Sequence, residues 1–288
     1  MTVLGTGRAN GGISILLAAG LGKGCSVGLQ LETEVSLVEG PAFVPQDEHG
    51  VLDSVLAVWG ESGYPTPDDT GWRVESEVPV GQGLKSSAAL ACAAARALDE
   101  ALWTGLSDPQ IVDIAVAAQR RSGCTLTGSM DDAWAAISPG WKLVDPEQTS
   151  HDSVLLEGDI ETGLSVLVAL RGARNSRVEP EAFEKQSKLF ERALASLSSG
   201  SLFAAMSANG MAVAAAIGDD EALRICNSAI ARGAISAGVT GSGPAIAIIC
   251  YEQHADLLAE FARESRMEVL EAAFTQSQMQ REEASRWE

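Results

Sequence analysis

From Val27 to Leu37 the chain alternates, with Val27, Leu29, Leu31, Thr33, Val35 and Leu37 on one side and Gln30, Glu32 and Glu34 on the other. A period of two predicts a half-buried strand over 27–38. The run Ile13 to Ala19 reads as another strand or buried element, joined to it by the Gly-Leu-Gly-Lys-Gly turn at 20–24, so an antiparallel opening is expected. A helix at Val51 to Trp59 and a short strand at Trp72 to Val78 follow. Ser87 to Trp103 is dense in alanine and free of Gly and Pro, which predicts a helix whose small side chains let a neighbour approach closely. Ser107 is a good N-cap for a helix to Arg121, with Ile111, Ile114, Ala115 and Ala118 at helical spacing. Residues 122–130 read as a loop, and Asp131 to Ile137 as a helix ended by Ser138-Pro139-Gly140.

Residues 144–160 are polar and turn-rich, and the domain boundary is expected there, giving units over 1–150 and 151–288. The second half predicts a strand at 164–170, helices near 181–198, 201–217 and 219–232, and a strand-loop-strand at 235–251. A helix at 253–265, a strand near 267–274 and a solvated tail over 275–288 complete it. The class is α+β with mixed sheets.

Charge narrows the function. Thirty-nine acidic residues stand against 20 basic ones, a net charge of −19, so the overall field repels nucleic acid and anionic membranes. No stretch reaches the ~18 uninterrupted apolar residues of a membrane span, and no signal peptide is evident, so the cytoplasm is the expected location. The five cysteines are widely spaced with no Cys-x-x-Cys pair, and the three histidines are isolated, which argues against a disulfide framework or a structural metal site. Only five basic residues are lysines. An anionic ligand must therefore be held by locally placed cations and backbone amides.

Such a place is Pro79-Val80-Gly81-Gln82-Gly83-Leu84-Lys85-Ser86-Ser87-Ala88-Ala89, a glycine-rich loop running into the alanine-rich helix. Glycines let backbone N–H groups approach an anion, and a helix start adds unpaired N–H groups and a positive dipole end. Lys85 supplies a full charge, and the hydroxyls of Ser86 and Ser87 can bond phosphate or ligate Mg²⁺. The loop is not a Walker A sequence, because Leu84 occupies the position of the required glycine. A glycine turn with a serine N-cap opening a core helix is the alternative that residue chemistry leaves open.

The Pro-x-x-x-Gly-Leu-x-Ser-Ser-Ala pattern resembles the second signature of the GHMP kinases, the superfamily of galactokinase, homoserine kinase and mevalonate kinase. Val239-Thr240-Gly241-Ser242-Gly243-Pro244-Ala245 resembles the C-terminal glycine-rich signature, and Thr127-Gly128-Ser129-Met130-Asp131-Asp132-Ala133 resembles the segment with the family's catalytic aspartate. The Lys in Gly-Leu-Lys-Ser-Ser, the Gly22-Lys23-Gly24 turn and Thr-Gly-x-x-Asp-Asp-Ala are similar to the archaeal type of shikimate kinase. The resemblance implies a two-domain GHMP kinase fold: an N-terminal domain like that of ribosomal protein S5 and a ferredoxin-like C-terminal domain. It also implies ATP and Mg²⁺, a small hydroxyl substrate with shikimate favoured, and a monomer or homodimer. By the same resemblance, residues 79–89 hold ATP, Asp131 takes the proton of the attacking hydroxyl, and Lys85 neutralises charge. Ser87 is the candidate Mg²⁺ ligand. Asp132 is expected to point elsewhere as an N-cap, Lys23 to reach the same centre, and residues 241–244 to brace the site or contact substrate.

Two departures stand out. Relatives tend to place an acidic residue where this chain has Arg120-Arg121-Ser122, so those arginines are candidates for a substrate carboxylate instead. Relatives of the shikimate type also tend to carry Thr-Asp-Asn where this chain reads Val144-Asp145-Pro146. Homoserine kinase thus stays open beside shikimate kinase. A nucleotide-dependent oxidoreductase would need a helix after Gly22-Lys23-Gly24, where the alternation predicts a strand. A catalytically silent nucleotide binder is opposed by the presence of both Asp131 and Lys85.

Overall fold

The first strand is much longer than the apolar run predicts. In the computed structural model, which describes residues 2–42, 44, 47–125, 130–172 and 179–277, β1 covers Val3–Leu16 and pairs antiparallel with β2, Gly24–Glu39. Glycines hid its first half. A Cβ on Gly5 would lie 2.4 Å from the Ala97 carbonyl oxygen, and one on Gly7 2.0 Å from that of Ala93. These glycines are there so that an alanine-rich helix can lie backbone-close on the strand.

After β2 come α1 (Val51–Glu61), β3 (Thr70–Ser76), α2 (Ser86–Leu102), α3 (Asp108–Ser122), α4 (Met130–Ile137), β4 (Trp141–Val144), the one-turn α5 (Ser150–Ser153) and β5 (Val154–Gly158). The order across the first sheet is β1-β2-β4-β5, with β3 beside β4's strand neighbour β2. Residues 144–160 are therefore not merely turns, since β5 extends this sheet through β4. The expected cap of α3 is present: the Gln110 side-chain oxygen accepts from the Ser107 backbone N–H at 3.0 Å.

The second sheet is β7-β8-β6-β9, formed by β6 (Leu164–Leu170), β7 (Ser236–Val239), β8 (Ile246–Tyr251) and β9 (Glu268–Ala272). Its helices are α6 (Pro180–Glu184), α7 (Ser187–Ser198), α8 (Leu202–Ile217), α9 (Asp220–Ala231) and α10 (Ala255–Glu264). The helix expected over 181–198 is thus two, divided at Lys185 and Gln186. The named strand pairs are antiparallel throughout both sheets, which corrects the expectation of mixed sheets. The expected tail also starts later: Thr275 is buried, and its N–H donates to the Gly28 carbonyl at 3.0 Å.

Two apolar cores result. One packs Val35 and Leu37 against α1 to α4, with Trp59 and Leu98 fully buried. The other runs from Ile13, Ile15, Cys25 and Val27 into β6, β8, Phe183 and Phe190. Between them, the β1–β2 hairpin carries a few buried hydroxyls, and these set the site.

Candidate active site

Ser14 of β1 and Ser26 of β2 are cross-strand partners, each 1% exposed. Their strand neighbours Ile13, Ile15, Cys25 and Val27 are fully buried, so the alternating pleat carries the hydroxyls to the opposite face from these side chains. Buried hydroxyls need partners. Two helix starts deliver them, α2 bringing Lys85 and α4 bringing Asp131 and Asp132.

Lys85 precedes the first residue of α2 with φ 66°, in the left-handed region that side-chain-bearing residues use at a cost of about 1 kcal/mol. Its ammonium donates to Ser14 Oγ at 2.6 Å and lies 2.5 Å from Asp132 Oδ1. Ser26 Oγ is 2.7 Å from Asp131 Oδ2 and 3.0 Å from Asp132 Oδ1. Asp132 therefore does not point elsewhere. Both carboxylates turn onto Ser26 because the short α4 starts against β2, and Gly24 makes the room: a Cβ there would lie 2.4 Å from Asp131 Oδ1. Thr127, Gly128 and Ser129 of the same motif lie outside the described residues.

The electrostatics follow from burial. Asp131 is 4% exposed, and desolvation, followed by the neighbouring charge of Asp132, pushes its carboxyl up to about 7 against the opposing pull of Lys85 and Ser26. A carboxyl poised near neutrality beside a buried ammonium can accept a proton and then share it. Burial also raises the Cys25 thiol well above its ordinary value, so it stays neutral.

The glycine loop abuts this cluster. Gly81 (φ 72°) faces open space, whereas a Cβ on Gly83 (φ 77°) would meet the Thr240 carbonyl oxygen at 2.2 Å. Val80 is exposed, and the buried Leu84 side chain pins the loop while its carbonyl accepts from the Gly12 N–H at 3.0 Å. Thr240 Oγ1 accepts from the Ser14 N–H and donates to the Gly83 carbonyl, both at 3.1 Å. The 241–244 segment thus starts from a residue that ties β1 to the glycine loop. Gln82 reaches the end of β6, donating from Nε2 to the Gly172 carbonyl at 2.7 Å. Pro79, before the loop, and Ser86, Ala88 and Ala89, in the first turn of α2, flank it; the N–H groups of such a first turn have no intrahelical acceptors until Ala89 bonds the Lys85 carbonyl.

Ser87 Oγ donates to Gln119 Oε1 at 3.1 Å, and Gln119 is fully buried on α3 with Nε2 on the Ala115 carbonyl. The Ser87 hydroxyl is engaged by a neutral amide oxygen, and among the described residues no group of three or more His, Cys, Asp or Glu side chains could hold a metal ion. The side chain facing Ser87 is thus Gln119, one residue before the arginines. Arg120 donates to the Pro146 carbonyl and Arg121 to Glu61, and Lys23 pairs with Asp145 at 3.4 Å; none of the three bonds the carboxylate cluster.

Ser14, Ser26 and Gln119 carry no motif, and Gly24 stands out only as the end of the Gly22-Lys23-Gly24 turn. A signal existed for the serines, since each is a lone hydroxyl between apolar neighbours within a strand. Gln119 carried none, because its partner is 32 residues away.

Comparison with known proteins gives the family. The GHMP kinases N terminal domain matches residues 50–140, and the GHMP kinases C terminal domain matches residues 181–266. A shikimate kinase of Pyrococcus abyssi is 32% identical over 259 residues, covering 86% of this chain and 92% of that protein. The chain belongs to the GHMP kinases. A shikimate kinase of Thermococcus kodakarensis is 30% identical, covering 85% of this chain and 91% of that protein. In fold, this GHMP kinase is similar to the mevalonate kinase of Methanococcus jannaschii, with a TM-score of 0.74 at 11% identity over 94% of this chain and 98% of the other. The family makes it a phosphotransferase acting on a hydroxyl group, and implies ATP with a divalent cation. Among the described residues, no helix is long and apolar enough to cross a membrane.

Proposed function

We propose that this GHMP kinase phosphorylates shikimate, moving the γ-phosphoryl group of ATP onto a ring hydroxyl. The observation that carries the chemistry is the buried Asp131–Ser26–Asp132–Lys85 cluster beside the glycine loop. Asp131 accepts the hydroxyl proton, the substrate oxygen bonds to the γ-phosphorus, and the bond from that phosphorus to the β–γ bridging oxygen breaks, its electron pair leaving with ADP. Phosphoryl transfer asks for positioning and charge neutralisation more than covalent help. Residues 79–89 hold the nucleotide phosphates through loop amides and the α2 start, and Lys85 offsets charge that develops during transfer.

Mg²⁺ is the cation we assign to Ser87, whose hydroxyl would add one oxygen to those of the ATP phosphates. Shikimate is favoured by the similarity of nearly the whole chain to proteins named shikimate kinase. A coupled ADP-release assay with Mg²⁺-ATP, offering shikimate and homoserine in parallel at low and high salt, tests the reading. Shikimate-dependent ADP release is expected. Release with homoserine alone would move the substrate, and ATP binding without turnover of either would leave the assignment without its reaction.

A further inference from the structure

Asp132 Oδ1 is shared. It accepts from Ser26 Oγ at 3.0 Å and faces Lys85 Nζ at 2.5 Å. Ser26 has one proton and two carboxylates within reach, so a bond to Asp132 is a bond withheld from Asp131. Lys85 is likewise held from two sides, by Asp132 and by Ser14. Asp132 therefore sits at the junction of both donors that favour an ionised Asp131.

We propose that Asp132 is a positioning residue: it anchors the Lys85 ammonium over Ser14, competes for the Ser26 proton, and thereby fixes the aim of Asp131 without touching the transferred group. This rests on the reading of Asp131 as the proton acceptor.

Among the described residues, the other titratable groups on the elements packed against α4 are neutral or engaged elsewhere. From β2 comes the neutral Cys25 thiol; from the turn before it Lys23, paired with Asp145. From β4 comes Lys142, paired with Glu157 at 2.9 Å and lying over the Trp134 ring. From α3 come Arg120 and Arg121, bonded to the Pro146 carbonyl and Glu61. That leaves Asp132 as the anion that raises the Asp131 carboxyl and Lys85 as the cation that lowers it.

The test uses two near-isosteric changes with opposite signs. Asp132→Asn removes the like charge and leaves Lys85 with Asp131 as its anionic partner, so the acidic limb of kcat/KM should move down by about one pH unit, as a close charge ordinarily shifts a carboxyl. The plateau kcat should fall as the ammonium loses its anchor. Ser26→Ala deletes a bond to the ionised form and should move the limb upward. Carboxyl ¹³C NMR of Asp131 in the full chain follows the same titrations without turnover. Opposite displacements support the inference; displacements of one sign, or none, overturn it. If shikimate is not turned over but the NMR titrations still separate, the substrate reading fails while the positioning role stands. If turnover is normal and both titrations are unmoved, the positioning role fails alone.

Discussion

The two sheets treat their buried strands in opposite ways. In the second, β6 and β8 fill both faces with apolar side chains: Val166, Leu167, Val168 and Ala169 pack beside Ile246, Ala247, Ile248 and Ile249, each at most 1% exposed. In the first, β1 and β2 interrupt the same kind of packing with Ser14 and Ser26 in register. Apolar strands need only complementary shape, but buried hydroxyls recruit partners, and here the partners are charged. Desolvated beside a second carboxylate, Asp131 no longer holds its proton as a free side chain does. The second sheet buries apolar surface alone, and the first also holds charge out of water.

The largest effect that breaks this contrast is Asp131→Asn. Turnover should fall by about 10² to 10⁴, the usual worth of a positioned base, with ATP binding, read by equilibrium titration, largely kept. The same change should stabilise the fold at alkaline pH. The carboxyl titrates at 3.8 when unfolded and about 7 when folded. Below the first value both states are protonated. Between the two, the unfolded state ionises first and stability drains as pH rises; above the second the loss is constant. Asp131→Asn removes that loss, so at pH 8 urea unfolding should show a gain on the order of 4 kcal/mol that dwindles toward pH 4. A variant less stable than the parent at pH 8 would mean that the carboxylate is well paired rather than strained.

Lys85→Met comes next and has the opposite sign. Removing one member of a buried ion pair strands the other, a loss of about 3 kcal/mol in comparable sites. Because Asp131 takes up a proton in mild acid, the loss should shrink from pH 8 to pH 5 in parallel urea titrations. ATP affinity should weaken as well. A pH-independent loss would say that Lys85 acts through packing.

The sequence was most legible where one residue pattern has one physical cause. The alternation of 27–38, the alanines of α2 and the Ser107 cap each reported local geometry directly. The first half of β1 was not legible, because Gly5 and Gly7 answer to the helix above them and not to strand propensity. Asp131 and Lys85 were found through a motif. The placement of Asp132 was not legible from adjacent helix positions, since the start of α4 packs on β2 and brings both carboxylates within reach of the Ser26 hydroxyl. Gln119 and Ser14 needed the tertiary structure, their partners being 32 and 71 residues away.

Thr240→Val gives the smallest effect and the sharpest one. Thr240 is 1% exposed, and its hydroxyl joins the Ser14 N–H to the Gly83 carbonyl. Valine keeps the shape and deletes both bonds, so stability should drop by only about 1 to 2 kcal/mol. The two groups it releases differ in consequence. The Ser14 N–H lies beneath Lys85, whereas the Gly83 carbonyl belongs to the loop proposed to hold phosphate, so the change should raise the KM for ATP more than it lowers kcat. Steady-state kinetics with ATP varied at saturating hydroxyl substrate would read this directly. An equal fall in kcat with unchanged KM would instead show that Thr240 serves the serine floor, and that the second half of the chain reaches the chemistry through β1 and not through the glycine loop.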